Sequence, residues 1–340
     1  MLQERDNAFF ISRLNGIYMG ISLSLFDESA EKTLKTIDDA IKQDNGSEFK
    51  KWEKAYFSDP NIDAWRADKK GELRDHLGAS QIGDECERKA WLKFRTAETE
   101  CDPRLVRLWN RGHLEEMRFM ALLQQAGIQA WNYDADRGRQ FGYSQGIFAG
   151  SIDGLAYGVP EYPDELVMLE FKTMSDKNYN MFLTKGISSF PHYEKQCQVN
   201  MLCMNRLAGI EGIYDKLNID AGGKEKRIKR TLFMAVNKNT DEIHAVFVEL
   251  EPAVAETVLG RIETICRGDT LPEKLSENRS FWLCRMCEFN NFCFGDAELQ
   301  HNCRTCMLQK YDSETQELTC SAGGDKFTEE CYMGIGFEVR

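Results

Sequence analysis

The segment Leu166-Val167-Met168-Leu169-Glu170-Phe171-Lys172-Thr173 alternates as a strand does, which puts Glu170 and Lys172 on one face and Leu169 and Phe171 on the other. A carboxylate and an ammonium then project together. One strand earlier, Gly150-Ser151-Ile152-Asp153-Gly154 sets an acidic residue among small ones, where a cation and a phosphate have room to approach. Two carboxylates on adjacent strands suit Mg²⁺ or Mn²⁺, and a lysine beside them can orient a water and stabilise charge developing at phosphorus. A phosphodiester repels hydroxide, so its hydrolysis near neutral pH benefits from these groups. Taken alone, an acid-x-Lys tripeptide is the ordinary polar face of a half-exposed hairpin; its meaning depends on what surrounds it.

Several elements must position these residues. Ala30, Leu34, Ile37 and Ile41 fall at helical spacing behind the capping candidates Asp27 and Ser29, so the first 76 residues read as a helical extension. Helices are expected from Cys86 and from Arg104 to Gln125, the second stopped by Gly127. The period then changes: Ile128–Trp131, Ile147–Tyr157 and Leu166–Thr173 read as strands, the last two forming a hairpin. A helix over His192–Arg206, strands over Arg230–Asn237 and His244–Leu250, and a helix over Ala253–Arg267 precede a cysteine-rich tail. This order implies an α/β or α+β core of about 200 residues.

With these motifs in order, the chain resembles the PD-(D/E)xK nucleases, in particular their RecB-like branch that includes CRISPR-associated iron-sulfur exonucleases and related phage nucleases. Gly112-His113-Leu114-Glu115-Glu116 resembles the first helical motif, with Glu116 at the metal-binding position and Glu115 competing for it. Asp153 is similar to the aspartate of the second motif, and Glu170-Phe171-Lys172 to the Glu-x-Lys of the third. In Tyr193-Glu194-Lys195-Gln196-Cys197-Gln198, Gln196 fits the family's glutamine, whereas Asn200 stands where the family has a tyrosine. The resemblance spans about Leu77 to Cys293. It implies a restriction-endonuclease-like core, a central mixed sheet flanked by helices, over residues 77–296, and catalysis by Glu116, Asp153, Glu170, Lys172 and Gln196, with Mg²⁺ or Mn²⁺ on the three acids.

Twelve cysteines are unevenly spread, eight of them between Cys266 and Cys331. Cys284, Cys287 and Cys293 offer three thiolates, and a four-ligand site needs one more from elsewhere. The resemblance supplies Cys86, which would join that trio around a [4Fe-4S] cluster stapling the two ends of the core. Four thiolates serve Zn²⁺ equally well on ligand chemistry alone. Cys303, Cys306, Cys320 and Cys331 form a second set in residues 297–340, a short segment with few large apolar side chains that a structural Zn²⁺ would help to fold.

The 340 residues carry 43 basic and 55 acidic side chains, a formal charge of −12, which excludes a generic polyanion-coating protein while allowing a local basic groove. Lys224, Lys226, Arg227, Lys229 and Arg230 are the sequence's candidate for gripping DNA phosphates. The apolar stretch Ile17–Phe26 is interrupted by Gly20, Ser22 and Ser24 and resembles neither a signal peptide nor a membrane span, so a reducing cytoplasmic setting in a bacterial or phage-infected cell is expected. The expected activity is metal-dependent hydrolysis of DNA at ends or single strands, in recombination or repair and alongside a recombination-protein partner. The competing expectations are a catalytically silent DNA-binding or assembly factor on the same scaffold and an iron-sulfur electron carrier, the weaker of the two because the cluster cysteines bracket nuclease-like motifs.

Overall fold

The structure is a computed structural model and describes residues 28–44, 46–58, 73–97, 103–267, 271–323 and 328–334. The expectations for Ile17–Phe26 and Asp27 lie outside the described residues.

A short strand β1 (Glu28–Ser29) leads into α1 (Glu31–Asp44) and α2 (Ser47–Phe57), and three helices follow: α3 (Ala79–Ile82), α4 (Glu87–Arg95) and α5 (Pro103–Gln125). Strands β2 (Gln129–Trp131), β3 (Gly142–Gln145), β4 (Phe148–Ser151), β5 (Gly154–Tyr157) and β6 (Val167–Met174) come next. Helices α6 (Asp176–Lys185), α7 (Pro191–Leu207) and α8 (Ile210–Lys216) connect β6 to β7 (Arg230–Asn237) and β8 (Ile243–Glu249). The chain continues through α9 (Pro252–Leu259), α10 (Arg261–Cys266), α11 (Trp282–Arg285) and α12 (Asn290–Phe294) to a terminal hairpin, β9 (Gln309–Asp312) and β10 (Glu317–Cys320).

Six strands form one mixed sheet in the order β1-β8-β7-β6-β5-β2, in which only β6 and β7 run parallel. A parallel pair needs a crossover, and α6 to α8 provide it. Strand alternation divides the core between the two faces of this sheet. Leu169, Phe171, Leu232, Met234 and Phe247 pack with Phe119, Met120 and Leu123 of α5 and with Ile37 of α1. Met168, Phe233, Ala235 and Val246 pack instead with Cys197, Met201 and Met204 of α7 and with Phe182 of α6. The molecule is therefore a mixed α/β fold whose central sheet is flanked by helices.

Two expected elements are broken, each for a local reason. The expected strand Ile147–Tyr157 is two strands in two sheets: β4 pairs with β3 in a small hairpin, and β5 enters the main sheet. The break falls at Ile152 and Asp153, where the Ile152 amide donates to the Phe141 carbonyl (3.0 Å). The expected helix Ala253–Arg267 is interrupted at Gly260 into α9 and α10. Ser29, expected to cap the first helix, lies in β1, paired with Val246 of β8.

Asn302, Arg304 and Gln316, past α12, each contact the core. Arg304 donates to the carbonyls of Phe94 (2.9 Å) and Arg74 (2.6 Å), and the Asn302 amide donates to the Arg95 carbonyl (3.0 Å). The tip of the β9–β10 hairpin touches the turn between β3 and β4, where Ile147 N donates to the Gln316 carbonyl (2.7 Å). Gly146 in that turn has φ +52, and a Cβ there would lie 2.3 Å from the Gln316 oxygen. Only glycine fits that contact. Among the described residues no helix is long and apolar enough to cross a membrane.

Candidate active site

Asp153 owes its position to the shortness of β5. That strand pairs with β6 only from Gly154 opposite Leu169 to Ala156 opposite Val167, so β6 outruns its neighbour and the Phe171 amide meets no strand. Asp153 Oδ2 accepts that amide at 2.7 Å. A buried backbone donator left without a partner would be costly, so the local fold needs an acceptor at residue 153. The small residues around it serve packing rather than ligand access. A Cβ at Gly150 would lie 2.5 Å from the Tyr143 hydroxyl, and one at Gly154 would lie 2.8 Å from the Trp131 carbonyl oxygen.

On β6, Glu170 and Lys172 share a face as the alternation predicts, and Lys172 Nζ donates to Glu170 Oε1. Glu170 is only 1% exposed, and its other oxygen, Oε2, has no hydrogen-bond partner among the described residues. Tyr193 of α7 stands beside the pair, with its ring centroid 5.1 Å from Lys172 Nζ. Glu115 and Glu116 of α5 have different partners. Glu115 turns to Arg118, whose Nη1 donates to both of its oxygens at 2.9 Å, whereas Glu116 feels Asp153, Lys172 and Glu170.

Three carboxylates and one ammonium from α5, the β4–β5 break and β6 therefore influence one another electrostatically. Their electrostatics are those of a site with surplus negative charge. Burial, reinforced by Asp153 and Glu170, pushes the Glu116 carboxyl well above its usual range. Burial raises Asp153, against the pull of Lys172 and the Phe171 amide. Glu170 is pushed up to about 7, chiefly by burial and further by Asp153, with Lys172 opposing. Burial disfavours a charged Lys172, but Glu170 and Asp153 outweigh it and the ammonium is held more firmly than usual. A bound cation would relieve all three acids together.

Gln196 is half-buried on α7, one turn beyond Tyr193 and Lys172's neighbourhood. Asn200 is buried, and its Oδ1 accepts the Tyr143 hydroxyl at 2.8 Å. A tyrosine thus does meet position 200, but it comes from β3. Tyr193 lies one helical turn before Gln196, and that spacing is the sequence signal for its place beside Lys172.

Cys86, Cys284, Cys287 and Cys293 all line one pocket of about 50 Å³, with Lys89, Leu92 and Phe289 among its walls. Burial raises the last three thiols, and Cys86 adds to the effect in each. Cys86 caps α4 through its sulfur and the Lys89 amide (3.4 Å). Helix α4 is in turn locked to α10 by Arg95, fully buried against Trp91, which donates to the carbonyls of Ile265 (2.6 Å), Cys266 (3.0 Å) and Arg267 (2.7 Å). A cation closing the C-terminal carbonyls of a helix is favourable. In the tail, Cys306, Cys320 and Cys331 each reinforce the upward shift that burial gives Cys303. Among the described residues no group of three or more His, Cys, Asp or Glu stands in a ligating arrangement. The donor chemistry nevertheless fits both kinds of group: hard oxygens with an unpartnered buried Glu170 Oε2 on one side, and four thiols around one pocket on the other.

The basic run is answered where it stands. Lys224 pairs with Asp164 (3.5 Å), Lys226 with Asp215 (2.5 Å), Arg227 with Glu225 (3.2 Å), and Lys229 with Glu165 (3.6 Å). Arg230, nearly buried over the Tyr162 ring, pairs with Glu165 and with Glu249 (2.7 Å). Five cations face five carboxylates, so the local charge is balanced and these side chains fasten the starts of β6 and β7.

No protein-family model and no curated protein matches the chain. Among solved structures, the crystal structure of SSO0001 matches with 11% identity and a TM-score of 0.28, covering 74% of this chain and 96% of that one. A likeness that distant carries no argument about function.

Proposed function

We propose that this protein is a divalent-metal-dependent deoxyribonuclease with a PD-(D/E)xK core, acting as an exonuclease on DNA ends or single strands. The observation that carries the reading is that Glu116, Asp153, Glu170 and Lys172, from three separate elements, lie near enough to shift one another's charge, with Lys172 paired directly to Glu170. Glu116, Asp153 and Glu170 would hold Mg²⁺ or Mn²⁺. When bound, such a cation supplies Lewis acidity and lowers the pKa of water.

The chain's own groups do the rest. Glu170 and Asp153 favour a protonated Lys172, which acts by charge, orienting water and stabilising negative charge on the phosphoryl oxygens. Glu170 Oε1 holds that ammonium in place, with the Tyr193 ring centroid 5.1 Å from it. Asp153 is fixed through the Phe171 amide, which ties the second motif rigidly to the third.

Cys86, Cys284, Cys287 and Cys293 would hold a [4Fe-4S] cluster as a structural staple joining α4 to the segment after α10, and the tail cysteines would hold a structural Zn²⁺. The test is digestion of end-labelled linear DNA and of circular DNA by anaerobically purified protein, with and without Mn²⁺, beside Lys172→Ala. Metal-dependent loss of the linear substrate alone, abolished by the substitution, is expected. DNA binding without cleavage under any divalent cation would instead mark a silent nuclease-like factor.

A further inference from the structure

The N-terminal half of α5 differs from the rest of this acidic chain. From Pro103 to Leu114 it carries Arg104, Arg107 and Arg111 and no aspartate or glutamate, in a protein of formal charge −12. It also exposes large apolar side chains, Trp109 at 50% and Leu114 at 41%. Trp109 precedes Glu116 by seven residues, close to two full turns, so the two lie on one face of the helix, about 10 Å apart along its axis. Gly112 lies between them on that face, and a Cβ there would meet nothing within 4 Å among the described residues. Short of proline, glycine is the poorest residue for a helix interior. Here it leaves bare backbone beside open space, on the path from an exposed indole to the first acid of the candidate site.

We propose that this face of α5 receives an unpaired DNA strand, with one base stacked on Trp109 and the sugar-phosphate backbone passing Gly112 toward Glu116. The inference rests on the nuclease reading for where the strand leads, though not for the binding itself. An indole platform takes an unpaired base because every base has a π-face, whereas in a duplex those faces are already stacked. Arg104 and Arg111, again seven residues apart, form a second stripe on the far side of the helix from Trp109, where Arg111 Nη2 donates to the Lys238 carbonyl (2.8 Å), so the indole and not the arginine stripe carries the contact with the strand. Trp109 would then decide which end of a substrate is engaged: one that offers a free base.

The test uses full-length protein in EDTA, so that no turnover occurs, with fluorescein-labelled oligothymidylate and a blunt duplex of equal length as probes in fluorescence anisotropy. Trp109→Ala should weaken oligothymidylate binding on the order of 10- to 100-fold, the range for one base-aromatic stack, and change duplex binding little. Trp109→Phe should restore most of it. Gly112→Leu, which favours the helix but fills the open space, should weaken it as well. With Mn²⁺ present, Trp109→Ala should raise KM and leave kcat nearly unchanged, the opposite of Lys172→Ala. Unchanged oligothymidylate binding in Trp109→Ala, or equal losses for both probes, would overturn the proposal. A wild-type protein that cleaves nothing would overturn the nuclease reading while leaving the anisotropy comparison decisive for this one.

Discussion

Glu170→Gln offers a quantitative test of the surplus negative charge. In the folded protein this carboxyl is pushed from 4.5 to about 7 and is 1% exposed. At 1.36 kcal/mol per pKa unit, ionised Glu170 costs the metal-free fold about 3 kcal/mol relative to its neutral form. The folded state holds the proton more tightly than the unfolded chain does, so this contribution to stability is complete below about pH 4.5 and is lost as pH rises through about 7. Glutamine keeps the shape and removes the charge. In EDTA, Glu170→Gln should therefore match the parent near pH 4.5 and exceed it at pH 8 by up to about 3 kcal/mol, several degrees in Tm. The measurement is thermal or urea denaturation at both pH values. Adding Mn²⁺ at pH 8 should reverse the order, because a cation that binds only the folded state stabilises the parent and has lost a ligand in the variant. A variant less stable than the parent at pH 8 in EDTA, or a difference that ignores pH, would refute the reasoning.

Gly146→Ala should push the β9–β10 tip off the β3–β4 turn, since its Cβ would lie 2.3 Å from a backbone oxygen at a positive φ; limited proteolysis should cut faster within residues 300–323, with a stability loss of about 1–2 kcal/mol. Lys224→Ala and Lys229→Ala should leave DNA affinity and its salt dependence unchanged in filter binding, because both lysines already face carboxylates. Arg230→Met should cost stability instead, about 2 kcal/mol in urea denaturation, by removing the nearly buried guanidinium that joins Glu165 to Glu249. Cys86→Ser should abolish iron binding in anaerobically purified protein, which in the parent should hold about four irons per chain by elemental analysis.

What was legible in the sequence was whatever depends on neighbours along the chain. Period-2 alternation put Glu170 and Lys172 on one face of β6 and gave the bounds of β7 outright. Helical spacing and Gly127 placed α5, and so placed Glu116. The break at Asp153 was not legible, because it depends on the length of β5 against β6, a pairing between distant segments. The choice between Glu115 and Glu116 needed the direction in which each leaves the helix, and Arg118 reveals it only in three dimensions. The acids that pair with the basic run, Asp164, Glu165, Asp215 and Glu249, come from other elements and are likewise out of view in a window of seven residues. The hydroxyl that meets Asn200 likewise arrives from β3, 57 residues earlier.

The most direct test of the central claim is single-turnover cleavage of an end-labelled single-stranded oligonucleotide, titrated with Mn²⁺, for the parent and for Glu116→Gln, Asp153→Asn, Glu170→Gln and Lys172→Ala. Binding of the same oligonucleotide in EDTA is measured beside it. Each substitution should lower the rate by orders of magnitude with binding retained, and the three carboxylate variants should in addition need more Mn²⁺ to reach half-maximal rate while Lys172→Ala does not. Cleavage that survives loss of Lys172, or a Mn²⁺ requirement indifferent to all three carboxylates, would contradict the account.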